Sequence, residues 1–305
     1  MKDLHPRLQA LQTQLADSPL TRIEDSALTA QGLELWIKRD DLLHPIISGN
    51  KWRKLKYILN DVLCRGADTI VSMGGAYSNH LHALAFVGRA LGLKTVGYIR
   101  GERPARFNPT LNDLLSWGME LRFVSRSDYR QLRSYKSPDS LPELQPGQYW
   151  LPEGGAIDLA LQGVAELVHE IELDFDTLAV ACGTGTTLAG LIAAVPLTRR
   201  VFGVAALKGG DFLSDDVKRL QDTQGMAANA DWRILLEYHF GGFAKATPAL
   251  LGFIQNFQQR HGVELEPVYT GKLLFAIYDL ARQGYFPAGQ RIVAVHTGGL
   301  QGKRQ

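Results

Sequence analysis

The chain is poor in the residue patterns that mark whole classes of function. It has two cysteines in 305 residues, Cys64 and Cys182, far apart and in no CxxC pair, and its His80 and His82 stand two apart on an expected helix, where they point to different faces. No metal site is expected. No long basic run accompanies the net charge of +2, so neither nucleic acid nor an anionic membrane surface is expected as a partner. Long apolar runs are missing too. The richest, 188–195, is interrupted by Gly190 and stopped by Pro196, well short of the roughly 20 residues that span a bilayer. Residues Met1 to Pro6 lack the basic then apolar run of a secretory signal, and a cytoplasmic location is expected. What is present is an ordinary globular composition, 45% hydrophobic and 21% charged. It excludes disorder, collagen and coiled coil, and it is ample for one large core or two smaller ones.

From about residue 33, short β-branched runs alternate with longer amphipathic segments, the pattern of βα units feeding a mostly parallel sheet. Strands are predicted at 33–38, 69–72, 94–99, 120–124, 177–181, 200–205, 234–236 and 291–295. Helices are predicted at 50–65, 78–91, 108–117, 159–171, 186–194, 211–221, 248–261 and 271–283. Between 125 and 148, serines and prolines gather without a sustained apolar period, which reads as a connection or domain boundary. Both sides of it carry βα series, which predicts two α/β lobes with a ligand cleft between them.

The loop Gly183-Thr184-Gly185-Thr186-Thr187 follows a predicted strand and opens a helix. Its glycines let the backbone curl, so that several N–H groups point at one spot beside the positive helix end. A phosphate fits there, and three threonine hydroxyls add donors. It is no P-loop, because no Lys follows its last Gly, and no dinucleotide loop, because Leu188 holds the third fingerprint position and Gly190 comes two places late. A single small phosphorylated cofactor, or a tight turn with nothing bound, is the reading left.

A second glycine turn, Gly74-Gly75-Ala76-Tyr77-Ser78-Asn79-His80, also leads from strand to helix. The N–H groups near Ser78, Asn79 and His80 make an anion site of carboxylate size, unless Ser78 is only a helix cap. Two such helix starts in different lobes suggest a ligand with two separate anionic groups, spanning the cleft. In Ser48-Gly49-Asn50-Lys51-Trp52-Arg53-Lys54-Leu55-Lys56 the crowded cations read as a solvated helix face. Lys51 stands apart. At the helix start behind Gly49, the dipole and the neighbouring Arg53 and Lys54 should lower its pKa, toward an amine able to attack a carbonyl. The predicted last strand runs into His296-Thr297-Gly298-Gly299, which with Tyr269 could supply one hydroxyl and one aromatic ring to the cleft.

Several motifs together carry a family likeness. They are Lys38-Arg39-Asp40-Asp41, Gly49-Asn50-Lys51 with Arg53-Lys54-Leu55, Gly74-Gly75 with Ser78-Asn79-His80, Glu153-Gly154-Gly155, Gly183-Thr184-Gly185-Thr186, Tyr269-Thr270-Gly271-Lys272 and His296-Thr297-Gly298-Gly299. In this order, over residues 20–302, they resemble the fold-type II pyridoxal-phosphate enzymes of the 1-aminocyclopropane-1-carboxylate deaminase and D-cysteine desulfhydrase group. The resemblance implies a tryptophan synthase β-like fold of two α/β lobes with mostly parallel sheets, and a homodimer. The larger, cofactor-binding lobe would comprise 1–50 and 149–305, the smaller one 51–148.

It also implies roles. Lys51 would carry pyridoxal 5'-phosphate and act as base for the substrate α-proton, and Asn79 would bond the cofactor's ring oxygen. Gly183, Thr184, Gly185, Thr186 and Thr187 would hold the phosphate, and Thr297 would face the pyridine nitrogen. Ser78, Asn79 and His80 would receive the carboxylate of a small amino-acid substrate, and Tyr269 would line the substrate side. Lys51, Ser78 and Tyr269 form the expected catalytic set. A neutral hydroxyl at Thr297 leaves the nitrogen largely unprotonated and favours β-elimination. The deaminases carry Gln after their Ser-Asn and Tyr two places before the last His, where this chain has His80 and Ala294. His80 matches the desulfhydrases instead. The expected reaction is elimination from D-cysteine to pyruvate, ammonia and sulfide; the alternatives are opening of the cyclopropane acid and a pyridoxal-phosphate-binding protein without turnover.

Overall fold

Continuous apolar runs at Thr69–Gly74 and Thr177–Cys182 are buried along their whole length, which is what strands covered by helices on both faces require. Each becomes a central strand of its own sheet. The computed structural model describes residues 3–223 and 230–304; Met1, Lys2 and Gln305, at the chain ends read above, lie outside the described residues. The strands are β1 (Leu20–Ile23), β2 (Glu34–Lys38), β3 (Thr69–Gly74), β4 (Lys94–Arg100), β5 (Met119–Val124), β6 (Gln148–Leu151), β7 (Thr177–Cys182), β8 (Arg200–Ala205), β9 (Asp231–Leu235) and β10 (Arg291–Val295). The helices are α1 (Pro6–Gln12), α2 (Ser26–Thr29), α3 (Asn50–Cys64), α4 (Asn79–Leu91), α5 (Pro109–Ser116), α6 (Arg126–Leu132), α7 (Leu159–His169), α8 (Thr186–Ala194), α9 (Phe212–Asp222), α10 (Pro248–His261) and α11 (Thr270–Arg282).

A six-stranded sheet runs β1-β2-β10-β7-β8-β9 and a four-stranded sheet runs β5-β4-β3-β6. All neighbours pair in parallel except β1, which lies antiparallel on β2. This is the expected fold class, two α/β units with mostly parallel sheets. The larger sheet is covered on both faces by separate apolar clusters, because Ile292 and Ala294 of β10 join one and Val293 and Val295 the other. No helix among the described residues is long and apolar enough to cross a membrane.

Five elements escaped the sequence reading, each too short to show a period. They are α1, the edge strand β1, α2, and α6 and β6 at the two ends of the supposed connection. Ser125 caps α6 by accepting the Asp128 N–H, and β6 pairs with β3 from Thr69↔Gln148 onward. The stretch 125–148 is therefore part of the smaller unit, and the expected division at 148/149 falls inside β6. Leu8 and Leu11 of α1 likewise join the cluster built on α3 and α4. β9 begins at Asp231, three residues before the predicted 234.

Two glycines let helices approach closely, the first between the two units and the second within the larger one. A Cβ on Gly163 of α7 would stand 1.9 Å from the Arg53 carbonyl oxygen of α3, and one on Gly190 of α8 would stand 2.6 Å from Val164 Cβ of α7. Gly190, the glycine two places late for a nucleotide fingerprint, is a helix-packing residue.

Candidate active site

The start of α3 is built by its cap. Gly49 sits at φ 63°, ψ −149°, a backbone region that side chains exclude, and a Cβ there would lie 1.9 Å from the Thr297 carbonyl oxygen. The Gly49-Asn50-Lys51 turn is thereby pressed against the loop after β10. Asn50 donates to Thr187 Oγ1 at 2.9 Å and accepts from Lys51 Nζ at 2.5 Å, which ties the lysine to the start of α8. Desolvation lowers the Lys51 pKa to about 8, against a partial upward pull from Glu266. The lowering was expected, but the neighbouring cations are not its main source.

The cation-rich helix is no solvated face either. Arg53 is buried and forms ion pairs with Asp40 at 2.9 Å and with Glu170. Lys56 is buried against Glu166 at 2.7 Å, and Lys54 is buried with its ammonium on the Gly154 carbonyl. Burial and the charge of Lys51 hold Lys54 well below the usual lysine range. Cation density misled the sequence reading because each charge finds its partner on a distant segment.

The loop after β7 has the cradle geometry. Gly185, the cap of α8, is left-handed at φ 71°, and the first N–H groups of a helix lack intrahelical acceptors. Thr184 and Thr186 share a hydroxyl contact at 2.9 Å, and Thr186 is fully buried. These groups can hold a phosphate. A Cβ on Gly154 would meet the Thr184 methyl at 2.9 Å, and one on Gly183 would meet the Tyr269 ring at 3.1 Å, so Glu153–Gly155 and Tyr269 wall the loop on two sides. Cys182, just before it, is buried with its thiol pushed up to about 12 and is no nucleophile.

The second glycine turn also leads into a capped helix start. Ser78 caps α4 by accepting the Leu81 N–H at 3.2 Å, which leaves the N–H groups of Asn79 and His80 at the first helical positions. The His80 ring goes elsewhere. Ser72 Oγ spends its one proton on the Leu151 carbonyl at 2.7 Å, so its 2.9 Å contact with His80 Nε2 has the ring as donor. Burial and the charges of Lys54 and Lys51 keep this histidine neutral, far below its ordinary pKa. Its backbone N–H, in the first turn of α4, is the group at the helix start. His82 turns to Asp113 at 2.9 Å, so the two histidines do part as expected. Ala294 is fully buried in the apolar cluster that holds Leu274 and Ile277, against which Tyr269 also packs.

The third wall starts α11. Glu266 is buried, and its carboxylate accepts from the N–H groups of Val268, Tyr269 and Thr270 at 2.6, 2.8 and 2.6 Å. Desolvation still raises its pKa. Burial, with Glu266 and Glu153 nearby, raises the Tyr269 phenol and keeps it protonated. The sequence reading gave Glu266 and Lys272 no role. Lys272, fully buried, donates to the carbonyls of Ala206, His239 and Gly242, each at 2.9 Å, and so pins the loop that sets Phe243 edge-on against Tyr269 at 6.0 Å between ring centres. Nothing short of the tertiary contacts signals this role. Thr297 is buried, and no hydrogen bond of its hydroxyl is found among the described residues.

The depressed Lys51 amine, the N–H and hydroxyl cradle, the uncommitted Thr297 hydroxyl and the second helix start fit a phosphorylated aromatic aldehyde joined to an amino acid. Comparison with known proteins agrees. A model of the pyridoxal-phosphate dependent enzymes matches residues 11–298. A bifunctional D-cysteine desulfhydrase/1-aminocyclopropane-1-carboxylate deaminase of Arabidopsis thaliana, mitochondrial, is 31% identical over 89% of this chain and 73% of its own length. A D-cysteine desulfhydrase of Salmonella paratyphi A is 29% identical over 96% and 94%. The crystal structure of an ACC deaminase homologue superposes with a TM-score of 0.78 at 28% identity, over 99% of this chain and 97% of that one. The chain thus belongs to the pyridoxal-phosphate dependent enzymes, in the family of the 1-aminocyclopropane-1-carboxylate deaminases and D-cysteine desulfhydrases.

Proposed function

We propose that this enzyme is a lyase that eliminates the β-substituent of a small amino acid, with D-cysteine giving pyruvate, ammonia and sulfide. The observation that carries it is Thr297, a neutral hydroxyl free to face the cofactor's ring nitrogen on the loop pressed against Gly49. Bound pyridoxal phosphate supplies the electron sink for the pair left behind when the α-proton departs. Lys51 holds the cofactor and takes that proton at Nζ, which is poised for the exchange because its pKa is lowered to about 8. Gly183 to Thr187 bind the phosphate. Ser78, with the N–H groups of Asn79 and His80, holds the substrate carboxylate and orients the α-carbon. Tyr269, kept protonated, lines the substrate side and can donate to the departing group.

Ring opening of the cyclopropane acid is the second reading, supported by the names of the plant relative and of the structural neighbour. One assay of ammonia and 2-oxo acid release separates them, because the three-carbon substrates give pyruvate and the four-carbon cyclopropane acid gives 2-oxobutanoate. Wild type loaded with pyridoxal phosphate is offered D- and L-cysteine, β-chloroalanine and the cyclopropane acid, with Lys51→Ala as control. D-cysteine should turn over fastest and Lys51→Ala should be silent; faster release from the cyclopropane acid would overturn the proposal.

A further inference from the structure

Asn79 has two ends, and only one can face a ligand. Its Oδ1 accepts from Gln301 Nε2 at 2.9 Å, across 222 residues of sequence. Its Nδ2 lies over the loop after β10, where a Cβ on Gly299 would stand 2.8 Å from it, and it donates to nothing among the described residues. The segment that carries Gln301 is itself fastened on both sides. Lys303 pairs with Glu264 at 2.8 Å, and Arg304 reaches Asp113 and His82 of α5 and α4.

We propose that Gln301 is a positioning residue that fixes the Asn79 amide with its donor end toward the cofactor's ring oxygen. A side-chain amide left to itself can turn over, exchanging a donor for an acceptor at the same place. Toward an anionic oxygen the two orientations have opposite sign: Nδ2 binds it and Oδ1 repels it. Gln301 removes the choice by occupying Oδ1. The inference rests on the proposed placement of the cofactor ring beside Asn79.

The test compares three variants in the full-length protein, each stripped of cofactor and titrated with pyridoxal phosphate while the visible absorption band is followed with pH. Gln301→Ala frees the amide and should weaken binding about 2- to 5-fold, less than one full charge-assisted hydrogen bond. Gln301→Glu presents an acceptor, pulls Nδ2 toward itself, and should weaken binding about 10- to 100-fold, the worth of a hydrogen bond to a charged oxygen lost or reversed. It should also shift the pH at which the visible band changes. Gln301→Lys, a donor without an acceptor, should restore affinity and spectrum toward wild type. A merely structural glutamine would give Ala, Glu and Lys similar losses and an unmoved spectrum, and that pattern overturns the proposal. Wild type that binds no pyridoxal phosphate would overturn the placement of the cofactor instead, and the two failures are distinct.

Discussion

Gly49→Ala is the sharpest probe of how the site is assembled. The substitution carries two separable costs. The backbone at φ 63°, ψ −149° excludes a side chain, a strain of about 1–3 kcal/mol. The new methyl would also stand 1.9 Å from the Thr297 oxygen, 2.1 Å from its carbonyl carbon and 2.6 Å from the Gly298 nitrogen. These atoms are backbone, and both sides of the contact are anchored: the Gly49 N–H is bonded to the Asp40 carbonyl at 2.7 Å and the His296 N–H to the Lys38 carbonyl at 3.0 Å. Relief therefore requires the α3 start or the Thr297 loop to move, costing about 1–3 kcal/mol more, as in an overpacked core. The control is Gly66→Ala, at φ 69° with nothing within 4 Å of the new methyl, where only a left-handed strain of about 1–2 kcal/mol applies. Urea unfolding of both variants should leave Gly49→Ala the less stable by about 1–4 kcal/mol. Titration with pyridoxal phosphate should show weakened binding for Gly49→Ala and normal binding for Gly66→Ala. Equal stabilities, with cofactor affinity intact in both, would refute the close approach of the two loops.

Three further outcomes are expected. Thr186→Ala should weaken cofactor binding by about 1.5–3 kcal/mol, one charge-assisted hydrogen bond, while the saturated enzyme keeps most of its rate. Gly185→Val should be worse, because it forces a left-handed residue to carry a side chain 2.9 Å from Val217 Cγ2; normal affinity in both variants would place the cradle elsewhere. The cofactor-free protein should also gain stability as pH rises from about 8 to 10.5, because over that window the unfolded chain holds a proton on Lys51 that the native state has lost. Urea midpoints of wild type and Lys51→Met across pH 7–10.5 decide the matter: wild type should gain on the variant, and parallel curves would argue against a depressed lysine.

The sequence by itself determined the βα alternation, the fold class and the glycine loops of the candidate site, because strand-glycine-helix junctions are local. A glycine that must curl, a serine that caps, and the N–H groups left over at a helix start are decided within five or six residues, so Ser78 to His80 and Gly183 to Thr187 were legible before any packing was known. Only the tertiary structure decided which charges are free and which way each side chain points. Arg53, Lys54 and Lys56 look like a solvated face until Glu170, Gly154 and Glu166 arrive from 100 or more residues away. His80 looks like a ligand residue until Ser72 turns its ring inward. Lys272 and Gln301 act only through contacts across the fold. The physical reason is range: backbone geometry is set by near neighbours, whereas desolvation, ion pairing and amide orientation depend on what the rest of the chain brings alongside.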